Sequence, residues 1–203
     1  MFLLYYYIMY ILFFIVIIIT SIILINISGY TICSWLNIIY NIFDTKYTKE
    51  YYPTNMKWCQ ELRHNYKEIY NEYLQYIKHN KLKRFKDIDK IQSNYDISNI
   101  PWEVLFLKVY NKNTNKIKFF PKTYSLISNI PGCTLAMFSV LYPGKVIPPH
   151  IGPYKGILRY HLTLVTPKNT NKCTLYVNNI PYNWKTGTDV LFDDTFLHYV
   201  KNE

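Results

Sequence analysis

The stretch that decides the fold is Ile157–Val165, which reads ILRYHLTLV. Arg159, His161 and Thr163 alternate with other residues in this stretch, so they share one face of a predicted strand. Further β-rich runs surround it at residues 134–142, 173–177, 189–192 and 196–200. Because Pro, Gly and Asn separate these short runs, the region is typical of an all-β sandwich or barrel.

The segment upstream of these strands has a helical pattern. Apolar side chains recur at steps of three and four residues between Lys57 and Asn80, which predicts one amphipathic helix over this range. The apolar stripe consists of Trp58, Leu62, Tyr66, Ile69, Tyr73 and Tyr76. We expect this helix to contribute packing rather than chemistry.

The N-terminus is a long apolar run. Phe2–Ile25 reads FLLYYYIMYILFFIVIIITSIILI, and the first charged side chain of the sequence is that of Asp44. About 20 apolar residues are enough to cross a bilayer. No Lys or Arg precedes the run, and it is too long for a cleaved signal peptide. The sequence therefore predicts a transmembrane anchor over residues 2–26 and a juxtamembrane linker over residues 27–56.

Composition argues against several other classes of protein. The 203 residues include 23 Lys and Arg against 13 Asp and Glu, a formal net charge of +10. The tightest basic cluster, at residues 81–86, is followed at once by Asp87 and Asp89. We interpret the cluster as a solvated face and expect no nucleic-acid partner. The four cysteines form no Cys-x-x-Cys pair, which excludes a zinc ribbon and a thioredoxin motif.

Three of the five histidines lie in the β region, where strands bring distant residues together. They are His150, His161 and His198, and neutral imidazole is a common protein ligand for iron, zinc and copper. Two histidines that converge inside a small barrel would bind a metal ion, and a third beside Arg159 would help to bind an anion. Taken one at a time, such histidines are more often structural or exposed, and spacing alone does not decide.

Four motifs follow one another along the C-terminal half of the chain. They are His-x-Gly-Pro at 150–153, Leu-Arg-x-His-Leu at 158–162, Trp-x-x-Gly at 184–187 and Phe-Asp-Asp-Thr-x-x-His at 192–198. In this order and spacing they resemble the aspartyl/asparaginyl β-hydroxylases. The resemblance covers residues 57–203 and implies a mainly β, cupin-like domain with a double-stranded β-helix (jelly-roll) fold. It also implies Fe(II) as the metal, 2-oxoglutarate as the co-substrate and O₂ as the oxidant.

The same resemblance implies that His150 and His198 hold the iron ion. Many non-haem iron oxygenases add a carboxylate to two histidines. Gly152 occupies the position of that acid, as in the family that the sequence resembles. Asp194 is a catalytic candidate that would hydrogen-bond to a water on the metal. An equally consistent interpretation is a turn-capping Asp before the last strand.

The resemblance assigns the co-substrate to four further residues. Arg159 and His161 would contact 2-oxoglutarate, and Ser139 and Trp102 would line the same pocket. The chemistry of these side chains agrees, because Arg offers a charged fork to a carboxylate and the others add hydrogen bonds.

The implied activity is that of a peptidyl-aspartate/asparagine β-dioxygenase, which hydroxylates the β-carbon of Asp or Asn in a protein substrate. Two alternatives stay open. Bacterial relatives with the same core hydroxylate lipid acyl chains. The sequence also ends at Glu203, before the Arg-bearing strand with which the family continues, so a non-catalytic jelly-roll binding module is the other alternative.

The predicted anchor would make the chain a single-pass membrane protein of the endoplasmic reticulum or of a viral or host membrane. Basic residues follow the anchor and none precedes it, which favours a cytosolic domain. Membrane-bound animal members of the family that the sequence resembles face the lumen, and on that ground we expect a lumenal domain. There Cys133 and Cys173 would meet oxidising conditions, although the sequence does not decide whether they pair.

Overall fold

The computed structural model divides the chain into two compact units. The first contains residues 1–47 and 153–156, and the second contains residues 48–152 and 157–203. In the first unit, the Asn37 amide donates to the backbone oxygen of Pro153 (2.8 Å) and accepts from the backbone N–H of Lys155 (2.7 Å). The residues described by the structure are 2–24, 36–37, 39–40, 48–88, 99–168 and 172–203.

Helix α1 spans Phe2–Leu24 and carries no acidic side chain in its first turn and no basic one in its last. Among the described residues, none of the helices combines the length and the apolarity that a membrane crossing requires.

This finding contradicts the predicted transmembrane anchor over residues 2–26. The expectation of a single-pass membrane protein with a lumenal domain was based on that anchor and is corrected with it. Most of the predicted linker, residues 27–56, lies outside the described residues. Its described end, from residue 48 onward, includes a short strand of the second unit.

The second unit combines short helices with many short strands. Its helices are α2 (Lys57–His64), α3 (Tyr66–Ile77), α4 (Phe85–Ile88) and α5 (Pro121–Ser128), with a 3-10 turn at Ile117–Phe119. Its strands are β1 (Tyr51–Tyr52), β2 (Lys83–Arg84), β3 (Trp102–Val109), β4 (Lys112–Asn113), β5 (Ala136–Leu141), β6 (Lys145–His150), β7 (Leu158–Leu162), β8 (Cys173–Val177), β9 (Ile180–Asn183), β10 (Asp189–Asp193) and β11 (His198–Asn202).

The strands form three antiparallel sheets. One has the order β1-β10-β7, and a second has the order β6-β11-β8-β9. In the third, β3 pairs with β2, β4 and β5. The prediction of a mainly β domain is therefore confirmed. Every predicted run of the β region contains or overlaps a strand, whereas β1, β2, β3, β4, β6 and β9 were not predicted.

Strand β6 escaped prediction because Pro148 and Pro149 are typical of a turn. Proline has no N–H for a sheet ladder, so it is confined to edges and bulges. The ladder between β6 and β11 is irregular at this point, because its register shifts between His198 and Val200. The irregularity accommodates the two prolines and still brings His150 into line with β11.

The predicted common face of Arg159 and His161 on β7 agrees with the pairing of this strand. Arg159 lies opposite Phe192 of β10, and His161 lies opposite Val190. Residues directly opposite in an antiparallel pair share one face of the sheet. Since Phe192 and Val190 belong to one buried apolar cluster, Arg159 and His161 lie on the face that this cluster covers.

Two apolar clusters fill the second unit. Ile69 and Tyr76 of α3 pack with Leu105 and Leu107 of β3 and with Phe138 of β5 in the first cluster. The second cluster lies between the sheets that carry the motifs. Its buried members are Ile147, Cys173, Leu175, Val177, Trp184, Val190, Phe192 and Val200. The helices thus support the β3–β5 side, while the second cluster surrounds the candidate site.

The helix predicted over residues 57–80 is interrupted once. Helix α2 ends at His64 and α3 begins at Tyr66, with Asn65 between them at φ −98° and ψ 12°. The Asn65 side chain donates to the backbone oxygen of Glu61 (2.7 Å), which gives the backbone a local alternative to continuous helix.

The two cysteines whose pairing the sequence left open do not form a disulfide in the structure. The thiols of Cys133 and Cys173 are free.

A buried carboxylate joins the N-terminal part of the second unit to β10. Asp189 is 5% exposed and accepts hydrogen bonds from Arg63 (2.5 Å), Thr54 (3.0 Å) and the Tyr160 hydroxyl (2.9 Å). Burial and the bond to this carboxylate raise the pKa of Tyr160, so its hydroxyl stays protonated and donates. The Asp189 carboxylate thus connects Arg63 of α2 to Tyr160 of β7.

We expect Arg63→Met to lower the free energy of unfolding by about 3 kcal/mol, because the buried Asp189 charge loses its cation. Lys57→Met is the matched control, since Lys57 pairs with Glu61 in solvent (3.9 Å) and should change stability by less than about 0.5 kcal/mol. Urea denaturation of both variants measures the difference. Equal effects of the two substitutions would show that the Asp189 network is not a stabilising feature.

Candidate active site

Two histidines from different strands meet inside the second unit. The antiparallel pairing of β6 and β11 sets His150 directly opposite His198, and their ring centroids are 4.1 Å apart. Phe192 packs edge-on against His198 at 5.6 Å. The two residues that the resemblance assigns to iron are therefore neighbours, although 48 positions of sequence number separate 150 from 198.

The backbone fixes the tautomer of both rings. His150 Nδ1 lies 2.8 Å from the backbone oxygen of Pro148, and His198 Nδ1 lies 2.9 Å from that of Phe196. A carbonyl oxygen only accepts, so Nδ1 carries the proton in each ring. The lone pair of each neutral imidazole is then on Nε2, which is the arrangement of a metal-binding histidine whose other nitrogen is held by a carbonyl.

Burial also keeps these histidines neutral. Desolvation lowers the pKa of His150, and it lowers the pKa of His198 to about 4, with a further contribution from His150. A histidine must be deprotonated at its ligating nitrogen to bind a metal. Both rings are therefore ready to do so at neutral pH.

A charged pair lies beside the histidines. Arg159 of β7 donates from Nε to Oδ2 of Asp194 at 2.5 Å. Asp194 is buried, and its other oxygen, Oδ1, has no hydrogen-bond partner in the structure. The alternative role as a turn cap fits Asp193 better, because Asp193 accepts from the backbone N–H (2.9 Å) and the hydroxyl (2.6 Å) of Thr195.

The same carboxylate explains why residue 152 is a glycine. Gly152 donates its backbone N–H to the backbone oxygen of Asp194 at 2.6 Å. A Cβ atom at residue 152 would meet the Asp194 carboxylate, its nearest atoms lying at 2.4 Å, a separation that real Cβ contacts do not show. An acid therefore has no room at residue 152 while Asp194 holds its place.

His161 lies deeper than the other two histidines. Its ring packs edge-on against Phe192 at 5.1 Å and lies 5.9 Å from the Trp184 ring. Desolvation, with repulsion from Arg159 and His198, lowers the pKa of His161 to about 3. A neutral imidazole next to the Arg159 cation offers one donor and one acceptor to a bound molecule.

Ser139 and Trp102 lie on the sheet that contains β3 and β5. The Trp102 indole donates to the Ser139 hydroxyl at 2.9 Å, and its ring stacks on Phe85 at 3.9 Å. Trp102 also packs against the apolar cluster that surrounds the site. This hydrogen bond joins the two predicted pocket residues to each other rather than to Arg159 or His161.

Trp184 is the residue of this site that the sequence did not single out. Its ring belongs to the second cluster, and its indole N–H is buried without a hydrogen-bond partner. The only signal was its position at the start of the Trp-x-x-Gly motif, residues 184–187. Thr163 was predicted to share a face with Arg159 and His161, and its hydroxyl is also buried without a partner.

The site contains two histidines rather than a larger ligand cluster. In the part of the chain that the structure describes, no group of three or more His, Cys, Asp or Glu side chains is arranged to hold a metal ion. The arrangement can instead offer two imidazole nitrogens, one nearby carboxylate oxygen and a guanidinium. The two imidazoles suit a metal ion whose remaining coordination positions are filled by water or by a chelating ligand, and the guanidinium suits an anionic group of such a ligand.

The mainly β fold and the motif residues that it brings together agree with those of a hydroxylase family. The chain matches the family described as Aspartyl/Asparaginyl beta-hydroxylase over residues 63–203, and it belongs to that family. It is 34% identical over 158 residues to the ornithine lipid ester-linked acyl 2-hydroxylase of Rhizobium tropici, covering 75% of this chain and 54% of the relative.

Two animal proteins extend the comparison. The chain is 29% identical over 180 residues to the aspartyl/asparaginyl beta-hydroxylase of Mus musculus, covering 85% of this chain and 24% of the relative. It is 42% identical over 89 residues to aspartate beta-hydroxylase domain-containing protein 2 of Mus musculus, covering 41% and 25%. The matches thus span about half of the rhizobial relative and about a quarter of each animal one.

The buried state of His161 predicts a pH dependence of stability. Its folded pKa of about 3 lies below the unfolded value of about 6.5, so acid protonates the unfolded state first and stability falls as the pH falls through this window. Between pH 7 and pH 5, we expect His161→Leu to lose about 2 kcal/mol less of its unfolding free energy than the wild type.

Urea unfolding at the two pH values, with a chelator present, measures this difference. His64→Leu is the control, because His64 is exposed on α2 and should keep the wild-type dependence. Parallel pH dependences for wild type and His161→Leu would contradict a buried neutral His161.

Proposed function

We propose that residues 57–203 form a jelly-roll domain that acts as an Fe(II)- and 2-oxoglutarate-dependent dioxygenase and hydroxylates a C–H bond. The observation that carries the proposal is the histidine pair. His150 and His198 lie with ring centroids 4.1 Å apart, and the Nδ1 atoms of both are held by backbone oxygens. Membership of the hydroxylase family supports the same reaction.

The residues present fit an iron ion. His150 and His198 would bind it through Nε2, and Asp194 stands close by with Oδ1 buried and lacking a hydrogen-bond partner. An unpaired buried carboxylate oxygen is costly, and a donor such as a metal-bound water would remove that cost. Bound together, the metal, 2-oxoglutarate and O₂ would supply the oxidising power, with succinate and carbon dioxide as co-products.

The protein's own side chains bind and orient. Arg159 retains N–H groups beyond the Nε bond to Asp194, and these would bind a carboxylate of 2-oxoglutarate. His161 would add one hydrogen bond from its neutral ring, and Ser139 and Trp102 would line the same pocket. Asp194 positions Arg159 through their ion pair, so one carboxylate links the co-substrate position to the metal position.

The proposal predicts a visible charge-transfer band when the full chain is mixed with Fe(II) and 2-oxoglutarate without oxygen. His198→Ala should abolish the band while the far-ultraviolet circular dichroism stays native, because one of the two metal ligands is lost. His64→Ala, at an exposed position of α2, should leave the band unchanged.

Absence of the band from folded wild-type protein would exclude the hydroxylase and leave the non-catalytic binding module as the interpretation. A band that survives in His198→Ala would instead remove His198 from the metal site. Isothermal titration with Mn(II) gives a second, oxygen-independent measurement of the same binding.

The first candidate for the substrate is an Asp or Asn side chain in a protein. The aspartyl/asparaginyl beta-hydroxylase of Mus musculus, with which the chain shares 29% identity, supports this candidate by its name. The product would be β-hydroxylated, with one oxygen atom of O₂ in the new hydroxyl group.

A second candidate is a lipid acyl chain. The relative from Rhizobium tropici is an acyl 2-hydroxylase of ornithine lipid, which points to the same chemistry.

If the substrate is an acyl chain, the full chain with Fe(II), 2-oxoglutarate and O₂ should add one oxygen atom to a detergent-dispersed ornithine lipid, and His198→Ala should add none, because it lacks one of the two proposed metal ligands. His64→Ala, at an exposed position of α2, is the control and should keep the activity. Mass spectrometry detects the added oxygen. Hydroxylation of an Asp- or Asn-containing peptide, with no reaction of the lipid, would select the protein substrate.

A further inference from the structure

The connection between β6 and β7 joins two parts of the candidate active site. Strand β6 ends at His150 and β7 begins at Leu158, so residues 151–157 lead from a proposed metal ligand to the strand that carries Arg159. The middle of this connection, residues 153–156, belongs to the same compact unit as residues 1–47. Its neighbours in the fold are therefore residues that lie far upstream in the sequence.

One upstream side chain, that of Asn37, binds the connection at two places. Its Nδ2 donates to the backbone oxygen of Pro153 at 2.8 Å, and its Oδ1 accepts from the backbone N–H of Lys155 at 2.7 Å. A backbone oxygen only accepts and a backbone N–H only donates, so the two bonds fix which way the amide is turned. Only a side-chain amide, that of Asn or Gln, offers a carbonyl acceptor and an NH₂ donor on one carbon atom.

The bonds from Asn37 lie next to a third hydrogen bond, which leads to the site. Gly152, the neighbour of Pro153, donates its backbone N–H to the backbone oxygen of Asp194 at 2.6 Å. Asp194 in turn holds Arg159 through the ion pair of their side chains. Two consecutive residues of the connection, Gly152 and Pro153, are thus held by Asp194 and by Asn37.

The connection also turns closely where Asn37 holds it. A Cβ atom at residue 156 would meet the Tyr154 ring at 2.4 Å, so Gly156 lets this ring pack against the backbone. A connection without such contacts samples many backbone conformations, and it loses this freedom when a ligand requires both of its ends at fixed places. Bonds that exist before the ligand arrives remove that cost from binding.

We propose that Asn37 is a positioning residue of the candidate active site, because it holds Pro153 and Lys155 and so keeps the β6–β7 connection ordered before ligands bind. His150 and Arg159, which flank the connection, then keep the places in which one binds the metal ion and the other the co-substrate. The inference rests on the proposed function, from which it takes both ligands. Asn37 acts through the backbone and needs no contact with either of them.

Hydrogen exchange at the Lys155 amide, followed by nuclear magnetic resonance on the full chain without ligands, tests the contact directly. Asn37→Ala should speed this exchange by about fivefold or more, because Lys155 loses the Asn37 acceptor. Asn37→Asp keeps an acceptor for Lys155 and should retain part of the protection. It also keeps the test available if Asn37→Ala does not fold.

Calorimetry on the full chain loaded with Mn(II) measures the consequence for the site. Asn37→Ala should weaken the binding of 2-oxoglutarate by about fivefold or more, and Asn37→Asp should weaken it less. Asn80→Ala is the matched control, because Asn80 also donates from its side chain to a backbone oxygen, that of Tyr76 at 3.0 Å, but follows the end of α3. This variant should leave both the affinity and the exchange at Lys155 unchanged.

Three outcomes would overturn the inference. A Lys155 amide that exchanges in the wild type as fast as in an unfolded peptide would show that Asn37 does not hold the connection. Faster exchange in Asn37→Ala with unchanged affinity would assign Asn37 to packing of the first unit alone. Equal weakening by Asn80→Ala would indicate a general loss of stability.

Failure of the proposed function gives a different result. Wild-type protein that binds neither Mn(II) nor 2-oxoglutarate would contradict the proposed function, and the inference with it, even where the Lys155 amide is protected. Wild-type protein that binds both, with an affinity that Asn37→Ala does not change, would contradict the inference alone.

Discussion

The antiparallel contact between β6 and β11 is the constraint on which the candidate site depends. It sets His150 opposite His198 and brings their rings to 4.1 Å. The same local backbone holds both Nδ1 atoms through the oxygens of Pro148 and Phe196. Pairing, tautomer and ring direction therefore follow from one ladder, and any shift of its register would separate the two imidazoles.

Two buried carboxylates, Asp194 and Asp189, carry negative charge in the interior of the second unit. Asp194 holds Arg159 through an ion pair and fills the space that a side chain at residue 152 would need. The site thus has a carboxylate beside the histidines, although the usual third acid is a glycine. Asp189 plays a purely structural part on the other face of β10, where Arg63, Thr54 and Tyr160 satisfy it. Both carboxylates are buried, and they differ in that Oδ1 of Asp194 has no hydrogen-bond partner.

Sequence patterns predicted that Arg159 and His161 share one face of β7, because strand alternation is local and both residues obey it. They missed β6, because Pro148 and Pro149 are typical of a turn and only pairing with β11 stabilises them in a strand. The single helix predicted over residues 57–80 is two helices that meet at Asn65. Apolar periodicity does not reveal this break, which a hydrogen bond from the Asn65 side chain accompanies. The apolar N-terminal run predicted a membrane anchor, which the described helices do not support.

By itself the sequence determined the chemistry: two histidines, an Arg and an acid in motifs whose order and spacing identify a hydroxylase family. Residue types and their spacing along the chain can be read without knowledge of the fold. Only the tertiary structure decided which groups meet and which stay unsatisfied. Trp184 and Thr163 are ordinary residues in the sequence and become unpartnered donors only when the sheets close around His161. The physical reason is that hydrogen-bond satisfaction is a property of the whole interior, whereas residue type and alternation are properties of the chain.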